Sequence, residues 1–185
     1  MVRRALRYLL LAASVVLALS ASVLAYFAYT RFFRYQRAVD EIYESIPAEE
    51  RQMSAPARRV MERTEPDSTR TNIVSRYLLS EIAPARVRGA EWNVRGMLWM
   101  WLLPRRFDPE QRLNLFAHFL AFEGGSGIAY GARKYFGKRA SQLTEDEALQ
   151  LMAISVSPLA YSPAKHPDRF RERLKITTDR YRAGA

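Results

Sequence analysis

A chain of 185 residues has room for one domain of ordinary size and little more. Lacking cysteine, it can carry no disulfide framework, no thiolate zinc site and no cysteine nucleophile. Its net charge of +10 is uneven: Arg3, Arg4, Arg7, Arg31, Arg34 and Arg37 place +6 on the first 37 residues and leave +4 for the body. That basicity flanks one hydrophobic segment and does not coat a nucleic-acid-binding surface. It suits an anionic lipid surface or a phosphate-bearing ligand.

The segment YLLLAASVVLALSASVLAYFAY, Tyr8 to Tyr29, holds no charge. Twenty-two residues at about 1.5 Å each reach roughly 33 Å, enough for a hydrocarbon core of about 30 Å. Tyr8, Tyr26 and Tyr29 sit near its ends, where amphipathic rings prefer the headgroup zone. The small residues of ALSASVLA would suit a cleaved signal peptide, but the apolar run continues past them, so a single membrane anchor is expected. Arginines on both sides nearly balance and leave the orientation open.

From Gln36 to Gln52 the pattern predicts a helix and a charged connector, broken at Pro47, with Glu49 and Glu50 where a helix N-terminus favours acids. Ser54 is placed to cap a short helix through APARRVMER, and Asp67 to cap STRTNIVSRYLLSEI, where Ile73, Val74, Tyr77 and Leu78 share one face. EWNVRGMLWMWLLP reads as a buried core helix, or alternatively as a segment dipping into a membrane interface. Asp108-Pro109 opens the next helix. EGGSG, residues 123–127, is a flexible turn without the features of a Walker or Rossmann loop. IAYGARKYF is a helix stopped by Gly137, Thr144 and Glu147 form a capping box, and DRFRERLKITTDRY is a last helix. With no alternating strand pattern, the body is expected to be mainly α.

The stretch IAYGARKYFGKRASQLTEDEALQLMAISVSPLAYSPAKHPDRFRERL resembles the C-terminal part of the glycosyltransferase family 51 domain, which polymerises peptidoglycan strands. The matches are Tyr135 to Lys138, Leu143, Thr144, Glu147, Ala148, Tyr161-Ser162-Pro163 and Pro167. STRTNIVSRYLL and RRFDPEQRLNLFAHFLAF match the family more weakly upstream. The resemblance implies a lysozyme-like helical domain over residues 54–182 behind a juxtamembrane segment, 30–53, and the span, 8–29. It places residues 1–7 in the cytoplasm and the domain on the extracytoplasmic side of a bacterial inner membrane. It also implies lipid II or glycan strands as ligands, with other cell-wall synthesis proteins as possible partners. No cofactor is expected from the residues, and a divalent metal ion enters only through the family.

Such glycosyl transfer needs a carboxylate to take a proton from the attacking hydroxyl and cations to meet the departing pyrophosphate. Against the family's first acidic motif, Glu62 is the nearest counterpart, but the motif's Asp, Phe, His and Gly are missing and only five residues separate it from Ser68. For the second, Arg88 with Glu91 keeps a basic-x-x-Glu spacing, at the wrong distance from Arg105-Arg106. The family's later Glu and Asn positions fall on Asn114 and His118; His118 reads as a core histidine with a backbone partner, and Glu123 as a solvated turn residue. Ser68, Thr69, Arg70, Thr71, Arg76, Arg133, Lys134 and Lys138 are the candidate binders of a lipid pyrophosphate, or else surface residues. The expectation is a membrane-anchored relative that keeps the scaffold and little or no polymerase activity. The rival is an active enzyme with a rebuilt, shortened site using Glu62 or Glu91.

Overall fold

The computed structural model describes residues 2–82 and 89–184, with side chains from Leu6 onward, so Arg3, Arg4 and Arg88 of the sequence reading lie outside the described side chains. Helix α1 (Val2–Arg31) is long and apolar enough to cross a membrane, and its apolar side chains stand exposed. A short 3-10 turn, Phe33–Tyr35, leads into α2 (Gln36–Ser45), and Pro47 precedes the single turn α3 (Ala48–Arg51). Then come α4 (Ala55–Thr64), α5 (Asp67–Ile82), α6 (Ala90–Arg106) and α7 (Pro109–Phe119). After a small hairpin follow α8 (Ile128–Phe136), α9 (Glu145–Ser155) and α10 (Pro167–Ala183). The chain is mainly α behind an N-terminal apolar helix.

The helix boundaries follow from their caps. The Ser54 hydroxyl accepts from the Ala57 N–H and donates to the Leu143 carbonyl, tying α4 to the start of α9. Asp108 and Gln111 close a capping box on α7, Thr144 and Glu147 another on α9. Gly137 ends α8 in the left-handed conformation, which any Cβ would disfavour.

Two groups of helices share one core. α4, α9 and α10 pack together, as do α5, α6 and α7, while α8 leans on α9. Val60, Met61, Leu78, Leu79, Trp99, Leu103, Leu113, Leu115, Leu151 and Ile154 are fully buried between them. Covering such side chains contributes about 1.5–3 kcal/mol each, and this burial holds the layers.

Three expectations need correction. Ala121–Phe122 and Gly125–Ser126 pair as a short antiparallel hairpin, so EGGSG is not one flexible turn: Glu123-Gly124 makes the turn and Gly125–Ser126 the second strand. Two-residue strands are too short for any alternation to show. Asp67 lies inside α5 and does not cap it; its carboxylate is taken by Arg70 and Arg112 at 3.4 and 2.7 Å. His118 has a side-chain partner, described below. The tryptophan helix divides its rings: Trp99 is buried, whereas Trp101 is 62% exposed, together with Val94, Met97 and Met100.

Candidate functional site

Helix α4 turns Ala57, Val60, Met61 and Thr64 inward, which leaves Glu62 on the solvent side. Glu91 begins α6 and is held between two arginines, 2.7 Å from Arg95 and 3.1 Å from Arg31 at the end of α1. Arg95 is buried and donates from both Nε and Nη2 to the Glu91 carboxylate. The two carboxylates predicted from sequence therefore occupy different surroundings: one in solvent, one locked beside the apolar helix.

The predicted cations are engaged as well. Arg70 is buried, donates to the carbonyls of Glu62 and Glu65 at 3.2 and 2.5 Å, and pairs with Asp67. Arg133 meets Glu49 at 2.5 Å, Lys134 donates to the Glu123 carbonyl, and Lys138 meets Glu147 at 2.6 Å. That bond, with the Thr144 N–H, holds the Glu147 carboxyl below the usual range against a small opposing effect of burial. Likewise Lys165 lowers Glu123. Arg76 is exposed and bonds Asn72. Ser68 is exposed, Thr69 borders a shallow hollow with Arg63 and Arg180, and Thr71 is buried.

Two cavities lie along α5 and α7. The first, of about 300 Å³, is lined by Glu65, Ile73, Tyr77, Phe119, Ser155 and Arg173 among others. Glu65 ends α4, is mostly buried, and pairs with Arg180 at 3.4 Å. The second, of about 390 Å³, is bordered by Ser45, Tyr77, Glu81, His118, Phe119 and Ser126 with others. Tyr77 and Phe119 stack with ring centroids 5.3 Å apart and planes only 5° from parallel, forming the wall that both cavities share.

Behind the second cavity stands a pair that the sequence reading did not join. Glu50 is 3% exposed, and its Oε2 lies 2.7 Å from His118 Nδ1. Its other oxygen rests against Gly127, just ahead of the first turn of α8, whose positive dipole end favours an anion. A Cβ on Gly127 would sit 2.0 Å from that oxygen, and its φ of +92° already demands glycine. Sixty-eight residues separate Glu50 from His118, so no local motif announces the pair. Glu65 was nearer to hand, one turn beyond Glu62, where the buried period of α4 ends. Among the described residues no group of three or more histidine and acidic side chains is gathered to hold a metal ion.

The sequence model of the transglycosylase family matches residues 59–182. The chain belongs to the transglycosylase family. Its matched relatives include penicillin-binding protein 1A of Aquifex aeolicus, 28% identical over 108 residues, which are 58% of this chain and 15% of the relative. The biosynthetic peptidoglycan transglycosylase of Xanthomonas campestris is 35% identical over 89 residues, 46% of this chain and 36% of that protein. Penicillin-binding protein 1F of Bacillus subtilis is 36% identical over 72 residues, 38% and 10% respectively. This transglycosylase-family chain thus matches well under half the length of each of these curated relatives. Among the described residues, one long apolar helix fits a single-pass membrane protein.

Proposed function

We propose that this chain is a membrane-anchored, catalytically degenerate member of the family, acting in peptidoglycan synthesis as a binder of lipid II or glycan strands. The observation that carries the reading is the separation of its two motif carboxylates. Glu62 faces solvent and Glu91 is committed to Arg31 and Arg95. Two carboxylates acting as base and stabiliser must converge on one reacting centre, and these do not. What remains is a groove along α5 and α7 with an exposed aromatic face on Tyr77 and a cation in Arg173, suited to a sugar and a phosphate. Helix α6, joined to the end of α1 through Trp99 and Arg31, exposes Met97 and Trp101, which supports a domain lying close to the bilayer, and the family resemblance favours its extracytoplasmic side.

A second reading, an active enzyme with a shortened site, has Glu65 in its favour, since that carboxylate does border a cavity. Titration of fluorescent lipid II into the full-length protein in detergent tests the first reading. Binding that weakens several-fold in Tyr77→Ala and Arg173→Ala is the expected result. A protein that binds no lipid II would be a structural membrane protein instead.

A further inference from the structure

We propose that α6 is a second membrane contact: its outer face lies in the headgroup zone of the bilayer that α1 crosses and binds anionic phospholipid there. The inference rests on the reading of α1 as a membrane span and of the domain as lying close to the bilayer. It does not depend on a ligand in the groove.

The uncharged part of α1 ends at Tyr29 and Thr30, so Arg31 stands where the chain leaves the hydrocarbon. The Trp99 indole donates to the Arg31 carbonyl at 2.8 Å, which pins the middle of α6 at that level. A helix with its side chains is about 10–12 Å across, and the interfacial zone outside the hydrocarbon is about 5–8 Å deep. At about 100° per residue, Glu91 and Trp99, which meet Arg31, share one face of α6. Val94, Trp101 and Arg105 fall on the adjoining face, within reach of that zone.

Charge sets the direction of the helix. Gly96–Pro104 is uncharged, but nine residues at about 1.5 Å each reach only about 14 Å, too short to span. Glu91 and Arg95 at one end and Arg105 and Arg106 at the other must all stay near water or headgroups, so α6 lies along the surface. Away from the core it carries Val94, Met97, Met100, Trp101 and Pro104, exposed at helical spacing. With Met97 59% and Trp101 62% exposed, this is an apolar stripe beside the face that meets the membrane helix.

The cations around it lack anions. Residues 31–45 and 90–106 hold six arginines and four acids. Asp40 takes Arg106, Glu41 takes Arg37, and Glu91 takes both Arg31 and Arg95. Arg34 and Arg105 pair with no acid among the described residues, and the Arg105 guanidinium lies 3.9 Å from the centroid of the Trp101 ring. That pair sets a charged tip beside an apolar body, the combination an interface favours. Lipid phosphate supplies the missing anion, and each such arginine near an anionic leaflet is worth about fivefold in affinity. Because α6 packs along α5, which carries Tyr77, the contact also sets the height of the groove above the bilayer.

The test places single copies of the full-length chain in nanodiscs of phosphatidylcholine, with or without phosphatidylglycerol, and reads tryptophan quenching by brominated acyl chains. Trp99 is enclosed, so the quenching should come mainly from Trp101, and Trp101→Phe should lose most of it. Met97→Asp, at another exposed position, should weaken it too while circular dichroism stays that of the parent. Phosphatidylglycerol should deepen the quenching in the parent, and the double variant Arg34→Gln, Arg105→Gln should lose that gain. Quenching of Trp101 by iodide in both disc types, with none by the brominated chains, would overturn the inference. So would lipid quenching that disappears at two copies per disc, which would assign the stripe to a second chain. An equal response to both lipids in parent and double variant would overturn the anionic preference. Lipid II binding is measured in the same discs. Binding with Trp101 in water sinks the α6 contact alone, and an embedded Trp101 without lipid II binding sustains that contact while the proposed function fails.

Discussion

The Trp99 indole N–H donates to the Arg31 backbone carbonyl at 2.8 Å, joining the middle of α6 to the last residue of the apolar helix. Phe32 meets the same ring edge-on, with centroids 4.9 Å apart. The junction is thus a polar contact inside an apolar one, and it sets where the body sits relative to α1. Trp99→Ala should cost about 3–5 kcal/mol through the void it leaves. Trp99→Phe keeps most of the packing and isolates the lost bond, at about 1 kcal/mol. Thermal unfolding followed by circular dichroism in detergent measures both, and equal losses would mean that packing contributes little.

Arg70 and Arg133 form a second comparison. Both were candidates for a pyrophosphate, yet one is buried across four acceptors and the other is largely exposed beside Glu49. Arg70→Ala should destabilise by about 3–5 kcal/mol, because Asp67 and the end of α4 lose their partner. For Arg133→Ala the expected loss is about 0–1 kcal/mol. Denaturant midpoints of the two variants would expose the difference, and a larger loss from Arg133→Ala would contradict the burial argument.

The Glu147 carboxyl is depressed first by Lys138, then by the Thr144 N–H. A depressed acid contributes stability above its unfolded value, about 4.3, and that contribution fades as pH falls through the lower folded value. Glu147→Gln should therefore be less stable than the parent at neutral pH, with the gap narrowing below about pH 4. Thr144→Ala removes the other half of the capping box at a cost of about 1 kcal/mol. Melting curves between neutral and acid pH decide the sign.

Gly127→Ala combines a disfavoured φ with a collision against Glu50, and should cost about 2–4 kcal/mol. The carboxylate must withdraw, so the His118 ring should lose its fixed tautomer as well. A variant that melts like the parent and keeps the parent's imidazole spectrum would show that Glu50 has room to spare.

Local signals carried most of the fold. Asp108-Pro109, Thr144 with Glu147, and Gly137 each act within one turn of chain, and each stands where its chemistry predicts. The hairpin escaped notice because two residues per strand show no period. Asp67 reads as a cap until Arg112, forty-five residues away, is found on its carboxylate. The candidate site was the least legible part. Glu50 reads as a helix-start acid, since Pro47 precedes it, and only the packing of α3 against α7 and α8 shows that it is buried. His118 reads as a core residue because Phe116 and Phe119 surround it in sequence.

The guanidinium of Arg70, threaded between the exit of α4 and the entry of α5, makes the elbow between them stiff once the protein has folded. Only five residues lie between Glu62 and Ser68, and the elbow has no slack. If the proposed ligand does reach Glu65, it would meet a doorway of constant width, framed by the Arg70 elbow and the Glu65–Arg180 pair.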